Sequence, residues 1–507
     1  MKPLIVFSLL MLALGHISLF AQDLSLELSL DNYRLLDAEP AGNDAFFLLC
    51  EKKSAADLMV RNLAKEKAIF KFDANLQQVW PEPLTLKGIT GYDATVFSYS
   101  DSAGQHSADY FFGSGQFVQV RKDGSVHEKE TGIPKKEANK TAAAFVDGNG
   151  LNILTITGDE TFPTGSMNWY TFSHSDLSLT KRPISLPLPP AVDEDNESGW
   201  RLNQVTDEGL FFYYVSYKNE VKDLSRTILA CHVIAVGRDG RAGKIVTIDP
   251  ALDKYKALPC SFRQDYAPNL QVFAPETWQT DTYSSPSSGV SGIIYIPTDN
   301  SFMGVKVDGN AGRIYTVAAL NEQVEVHKKH GRVESDGRGW ALPVKSLLLT
   351  ISDLQGQKIA TATLSHTPSK LAPTDNYGYQ ASQIELIPLP GDEGVICKFV
   401  NNGKIVVWVV SPEGEVRKEF KTRPYSLKMG MVKTYHDIFS VNGYETLEDL
   451  ETSPYLARET SAMAKFFEGL DDKTKWQSFY LHCKMRDLLF VPEAAGNKLM
   501  IYSFIKN

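Results

Sequence analysis

The stretch from His327 to Trp340, "HKKHGRVESDGRGW", gathers more recognition chemistry than any other segment of this sequence. His327 and His330 make an H-x-x-H pair, and two imidazoles at that spacing can share a zinc ion. A protein zinc site takes at least a third protein ligand. None stands nearby, and lysines flank both rings, so no metal site is expected. Arg332 and Arg338 offer planar forks that fit a carboxylate or phosphate, and Trp340 offers a flat apolar face. Gly331, Gly337 and Gly339 loosen the backbone between them. Arg332, Arg338 and Trp340 are therefore the candidate ligand contacts. The competing reading is an exposed basic loop with Trp340 folded back into the core.

Other patterns that could carry chemistry fall short of their requirements. Asp193, Asp195 and Glu197 stand at positions 1, 3 and 5 of a calcium-type loop. Position six lacks the turn glycine, which comes one residue late at Gly199, and position twelve is Gln204 where a bidentate Glu is needed. A solvated acidic loop accounts for them. "HEKE" at His127 lacks the second His of a zincin. No G-x-S-x-G is present, and "SSPSSGVSG" from Ser284 is a flexible loop with no base near it in sequence. "FFGSGQF" does not have the dinucleotide-binding spacing. No cofactor is implied. A pair of catalytic carboxylates cannot be chosen from 61 acidic residues, because only distance in the fold selects one.

The five cysteines, Cys50, Cys231, Cys260, Cys397 and Cys483, cannot all pair, and no C-x-x-C occurs. Three of them sit in apolar runs, "FFLLCEKK", "ILACHVIAV" and "GVICKFV", where a thiol serves as a small hydrophobe. The net charge of −9 gives no basic face for nucleic acid. The opening "MKPLIVFSLLMLALGHISLFAQ" places one Lys before an apolar run and a small residue near Ala21. That is the build of an export signal, expected over 1–21, in a periplasmic or secreted protein. An uncleaved anchor is the alternative. No later apolar run is long enough to cross a bilayer.

What positions any site is a recurring hairpin: "AIFKFDANLQQVW", "FVQVRKDGSVHEK", "IAVGRDGRAGKIV", "LLTISDLQGQKIA", "VVWVVSPEGEVRKEF". Apolar residues alternate before each turn, which implies strands with one buried face. The turns carry Asp, Gly, Asn or Ser, which cap their own backbone or tolerate positive φ. Anchors at Asp73, Asp123, Asp176, Asp239, Asp308, Asp353 and Glu413 recur about every 45–70 residues, with further apolar runs between them. A four-strand unit at such a spacing is a propeller blade. The expectation is an all-β fold over 22–507, a seven-bladed β-propeller with six or eight blades allowed. Two β-sandwiches in series are the competing arrangement. The hairpins resemble the outer strand pairs of bacterial secreted β-propellers. They carry neither the G-H…W-D pair of WD40 repeats nor the boxes of sialidases.

Residues 447–487 break the pattern and predict a helical hairpin inserted in the last blade. Ser453 and Pro454 start the first helix, with Leu456, Met463, Phe467 and Leu470 along one face and Gly469 at its end. Asp471 or Asp472 caps a second helix carrying Trp476, Phe479, Tyr480 and Cys483. The ends of the mature chain, "SLELSL" and "AFFLLC" at its start and "DLLFV" and "KLMIYSFI" at its close, are expected to share a blade, since a propeller must hide its last strand edges. Function is then expected to be that of an exported, non-catalytic binding or scaffold module, with a protein or cell-surface glycan as partner. The alternative is a hydrolase acting on glycans or peptides, with carboxylates gathered at the propeller mouth.

Overall fold

The structure is a computed structural model. It describes residues 24–41, 45–53, 67–86, 95–100, 106–113, 116–138, 140–157, 165–189, 199–218, 227–249, 256–257, 260–264, 270–272, 279–284, 291–296, 300–301, 303–321, 328–329, 332–333, 343–370, 382–401, 404–422, 425–429, 432–436, 462–482, 486–493 and 497–505. The chain falls into two compact units, one of 1–130, 424–444 and 448–507, the other of 131–423 and 445–447. The fold is of the all-β propeller class, with seven sheets on an antiparallel four-strand plan among the described residues.

The first unit holds three of these blades. Blade I is Tyr33–Pro40, Phe46–Lys52, Lys67–Phe72 and Leu84–Leu86; blade II is Thr95–Ser100, His106–Gly113, Gln116–Arg121 and Val126–Glu130. Blade VII is Phe479–His482, Arg486–Pro492 and Lys498–Ile505, completed by Leu24–Ser29. The second unit holds four. Blade III is Thr141–Asp147, Gly150–Ile156, Ser166–Ser173 and Leu179–Ser185; blade IV is Arg201–Val205, Gly209–Lys218, Thr227–Gly237 and Val246–Ile248. Blade V is Gly304–Asp308, Arg313–Asn321, Pro343–Asp353 and Lys358–Lys370; blade VI is Ser382–Pro388, Val395–Asn401, Lys404–Val410 and Val416–Thr422.

Burial follows strand position. Lys67–Phe72 and Gly150–Ile156 are buried at every residue, and so is the centre of Arg486–Pro492. The fourth strands Val126–Glu130 and Leu24–Ser29 alternate between exposed and half-buried. A middle strand is covered on both faces, whereas a fourth strand meets water. The core is accordingly a series of layers between consecutive sheets. Trp169 and Leu154 of blade III meet Phe212 and Tyr214 of blade IV. Val233 and Cys231 of blade IV meet Val305 and Ile314 of blade V, and Leu349 and Ala362 of blade V meet Ile384 and Trp408 of blade VI. In the first unit Phe490 and Ile501 meet Phe46 and Phe70, and Phe47 meets Phe111 and Val118.

The recurring hairpin has one geometry. Asp73–Gln77, Arg121–Ser125, Gly237–Arg241, Asp353–Gln357 and Ser411–Glu415 each join a third to a fourth strand. In each, the first residue's N–H donates to the last residue's carbonyl at 2.8–3.0 Å. The fourth residue has φ between 60° and 84°, as Leu76, Gly124, Gly240, Gly356 and Gly414. This is a type I turn closed by a bulge, which needs a left-handed residue at that place. Aspartate supplies the missing acceptor: Asp353 Oδ1 accepts the N–H groups of Gln355 and Gln357 at 2.9 and 2.8 Å. In blade VI Ser411 takes that role, not Glu413, accepting from Glu413 and Glu415 at 3.2 Å. At Gly356 a Cβ would also stand 2.8 Å from the Thr247 carbonyl oxygen, in the fourth strand of blade IV. The turn of one blade thus rests on the preceding blade.

The seven sequence anchors match seven blades through two offsetting exceptions. Asp308 lies between the first and second strands of blade V, which already has Asp353. Blade VII has no anchor, because its fourth strand comes from the other end of the chain. Leu24–Ser29 pairs antiparallel with Lys498–Ile505, Leu26 opposite Ile501. "AFFLLC" belongs to blade I instead of sharing that sheet.

Helices Ala462–Gly469 and Asp472–Gln477 precede blade VII, and Asp471 caps the second by accepting from Lys473 and Thr474. Met463 and Phe467 pack on Leu489, Val491 and Phe504 of that blade. The second helix is shorter than its sequence pattern implies. Ser478 turns extended, and Phe479–His482 is the first strand of blade VII, with Phe479 opposite Phe490. Pairing of this strand's backbone with Arg486–Pro492 outweighs the helical spacing of the same residues. Ser453, Pro454, Leu456 and Cys483 lie outside the described residues.

In the second unit three sheets hold more than four strands; in blade V the extra one is Lys256–Ala257, beside Arg313–Asn321, and in the other two the added strand flanks the first strand. Leu270–Val272 pairs with Thr141–Asp147, the first strand of blade III. Cys260–Gln264 pairs in parallel with Ser382–Pro388, the first strand of blade VI. Both come from the segment joining blades IV and V, which covers first-strand edges that would otherwise offer unpaired backbone.

Candidate functional site

Blades III and IV enclose a polar recess of about 260 Å³ at the end of blade III that carries its first-to-second and third-to-fourth turns. Strand alternation selects its floor. Trp169, Thr171 and Ser173 share one face of the third strand, and the register sets Trp169 opposite Arg182 and Thr171 opposite Thr180. Asn152 on the second strand stands opposite Thr171. Its side-chain carbonyl accepts from Trp169 Nε1 and Thr171 Oγ1, both at 2.8 Å, and its amide donates to the Gly150 carbonyl at 2.9 Å.

Two guanidinium groups border that floor. The Arg182 guanidinium carbon is 5.7 Å from the Trp169 ring and that of Arg238 is 5.8 Å from it. Trp169 is 1% exposed, so its ring aligns the two cations and offers no stacking platform. Arg238, in the third-to-fourth turn of blade IV, pairs with Asp147 of blade III. It also donates to the carbonyls of Thr206 at 2.6 Å and Asp207 at 3.1 Å. His174 joins the two turns of blade III, its Nε2–H donating to the Asp147 carbonyl at 2.6 Å; burial is the main influence that holds the ring's pKa below its ordinary value. The recess is therefore framed by residues that are themselves fixed.

The opposite face of blade III carries a carboxylate that is already satisfied. Glu137 Oε2 accepts from Tyr170 Oη at 2.6 Å and Asn168 Nδ2 at 2.8 Å, with Lys181 3.9 Å from its other oxygen. Burial pulls its pKa up, but these hydrogen bonds and the Lys181 charge together outweigh that and hold it below the ordinary value. An ionised carboxylate held this way through Oε2 is a poor proton donor.

A serine–histidine pair in blade IV serves structure in the same way. His232 Nε2 is 3.1 Å from Ser216 Oγ and Nδ1 is 3.0 Å from Thr247 Oγ1. The ring is 2% exposed and Ser216 1%, out of reach of a substrate. Burial lowers the His232 pKa to about 4, so the ring is neutral at pH 7. A histidine held neutral in the folded state and protonated near pH 6.5 when unfolded stabilises the fold above pH 6.5. That contribution shrinks as pH falls toward 4. Unfolding free energy measured in urea should drop by on the order of 2–3 kcal/mol between pH 7 and 4 through this residue. His232→Gln should flatten that part of the profile. An equally steep profile in the variant would remove His232 as its source.

The residues singled out by sequence lie elsewhere. Arg332 is in the short strand Arg332–Val333, paired with Lys328–Lys329. Arg338, Trp340, His327, His330, Asp193, Asp195 and Glu197 lie outside the described residues. Arg332 belongs to the connection from Arg313–Asn321 to Pro343–Asp353, which leaves blade V opposite its two short turns. Cys50, Cys231 and Cys397 are buried free thiols. Burial pushes Cys50 and Cys231 up to about 12 and raises Cys397 as well, so none is a reactive thiolate. No group of three or more His, Cys, Asp or Glu is placed to hold a metal among the described residues. No helix among them is long and apolar enough to cross a membrane. Sequence reasoning missed Trp169, Arg182 and Arg238. The signal was there in part, since "NWYTFSHSDLSLTKR" is a hairpin whose register brings Trp169 to Arg182 and "VGRDGR" contains Arg238.

No protein-family model matches this chain, and no curated protein matches it. Among solved structures it is similar to the WD40 domain of SCAP from fission yeast, at 8% identity and a TM-score of 0.29 over 95% of this chain and 98% of that one. It is also similar to the alpha-L-arabinanase of Penicillium chrysogenum, solved with arabinobiose, at 10% identity and a TM-score of 0.26 over 95% and 98% of the two chains. A Lactobacillus plantarum protein matches at 9% identity and a TM-score of 0.32, over 75% of this chain and 83% of its own.

Proposed function

We propose that this protein is an exported, non-catalytic binding or scaffold module, a single propeller domain over 22–507 released from a signal segment over 1–21. The observation that carries the binding reading is the recess between blades III and IV. Its groups are a guanidinium, hydroxyls and amides fixed by Trp169 and Asn152, which recognise a ligand without reacting with it. The Ser216–His232 pair and Glu137, the groups with the look of catalysts, are consumed by internal hydrogen bonds. The compartment rests on the charged and apolar opening of the sequence. The partner is a protein or a cell-surface glycan, and the loop bearing Arg332, Arg338 and Trp340 supplies a second set of contacts.

The test begins with protein recovered from the exported fraction, whose intact mass should lack Met1–Ala21. That material should capture a partner in pull-downs or on a glycan array. Trp340→Ala, and Arg332→Ala with Arg338→Ala, should weaken capture by about 1–3 kcal/mol at unchanged melting temperature. Hydrolysis of a captured glycan or peptide by the purified protein would overturn the non-catalytic reading in favour of the hydrolase. Unchanged capture by the loop variants would remove the loop.

A further inference from the structure

We propose that the recess between blades III and IV binds a carboxylate, which Arg182 grips through its free guanidinium edge. The inference rests on the binding-module reading and gives that site its ligand class. The two arginines differ in what they have left to give. Arg238 is engaged by Asp147 and two backbone carbonyls. Arg182 makes one hydrogen bond, from Nη1 to Thr171 Oγ1 at 3.2 Å, and among the described residues its Nε and Nη2 have no acceptor. Among the described residues no acidic side chain lines the recess, so the charge of Arg182 is uncompensated by them there.

That charge is also held in place. The Arg182 guanidinium lies against the Trp169 ring, and Thr171 Oγ1, which it bonds, is itself fixed by Asn152. A guanidinium with its orientation set loses less entropy on binding. Its open edge suits the planar, two-oxygen shape of a carboxylate. One unpaired positive charge matches a monoanion, whereas a phosphate monoester near −2 would bring excess negative charge. Thr180, Ser178 and Asn149 add neutral hydrogen-bonding groups at the rim. The volume of about 260 Å³ is below the roughly 300–1,000 Å³ of drug-sized pockets and admits one sugar ring or one amino-acid side chain. Two sources present that chemistry, an acidic sugar and an acidic peptide.

The probes are galacturonic acid with galactose as its neutral counterpart, and N-acetylglutamate with N-acetylglutamine as its own. Binding is followed on the whole protein by saturation-transfer NMR titration. At least one carboxylate probe should bind about tenfold or more tightly than its neutral counterpart, and which one does so identifies the source. Arg182→Gln should lose about tenfold or more of that affinity. Arg182 also packs on Trp169, so a second variant keeps it intact: Thr180→Tyr fills the recess from an exposed strand position and should abolish binding at unchanged melting temperature. Neutral probes binding as tightly as their acids would overturn the inference, as would carboxylate binding that survives Thr180→Tyr or the failure of both acids to bind. Partner capture in pull-downs and on arrays would stand in any of these cases, so the two readings fail separately.

Discussion

Truncation after Asn497 is expected to abolish cooperative folding of blade VII and to lower the melting temperature far beyond the effect of trimming a loose tail. The strand Lys498–Ile505 is hydrogen-bonded on both sides, to Leu24–Ser29 and to Arg486–Pro492. Its loss strips the backbone partners from two strands at once. Leu499 and Ile501 are 0% exposed and Phe504 2%, and they pack into layers with blade I and with the helix Ala462–Gly469. At about 1.5–3 kcal/mol each, these three side chains alone approach the lower range of a whole domain's stability. Differential scanning calorimetry of the truncated and full chains measures the effect. Ile501→Asp is the milder version, a charge in a fully buried layer, and should lower the melting temperature in the same direction. A truncated chain that melts at the same temperature would refute the role of this strand in completing the blade.

The second large effect is expected from Asp109→Ala. Lys71 Nζ lies 2.5 Å from Asp109 Oδ2, with the two side chains 7% and 1% exposed. Ser98 Oγ donates to the other carboxylate oxygen at 2.7 Å, and the ammonium lies 5.2 Å from the Phe47 ring centroid and 5.8 Å from that of Trp80. Removing the carboxylate takes the ion-pair partner from an ammonium buried between blades I and II. The cost is about 3–5 kcal/mol, while replacing both partners by apolar residues of similar size is close to neutral. Urea denaturation of Asp109→Ala beside Lys71→Met with Asp109→Leu separates the two. A single variant that loses less than about 1 kcal/mol would show that the pair is not buried as described.

These two experiments probe different parts of what was legible in the sequence. The closing strand belonged to it: "KLMIYSFI" alternates, and a propeller must cover its last edge. The lysine–aspartate pair did not. Alternation around "AIFKFD" said nothing of where Lys71 faces, because a period of two marks one buried face and leaves the other unassigned. In the fold that second face is buried as well: Lys71, Asp109, Glu385, Lys398, Asn152 and His232 are all nearly inaccessible to water. Helical spacing misled in a related way at Phe479 and Tyr480, where three or four residues of pattern could not outweigh pairing with Arg486–Pro492.

By itself the sequence determined the local objects: strands from alternation, and tight turns from Asp, Ser and Gly placed where a bulged hairpin needs an acceptor and a left-handed residue. Those depend on neighbours a few positions away, and five turns with one hydrogen-bond pattern confirm the rule. Tertiary structure alone decided that Asp308 marks no blade of its own and that Arg238 of blade IV closes a recess floored by blade III. Each of these depends on which sheets stack and in what register. That choice is made by summed burial over contacts tens to hundreds of residues apart, and local periodicity carries no record of it.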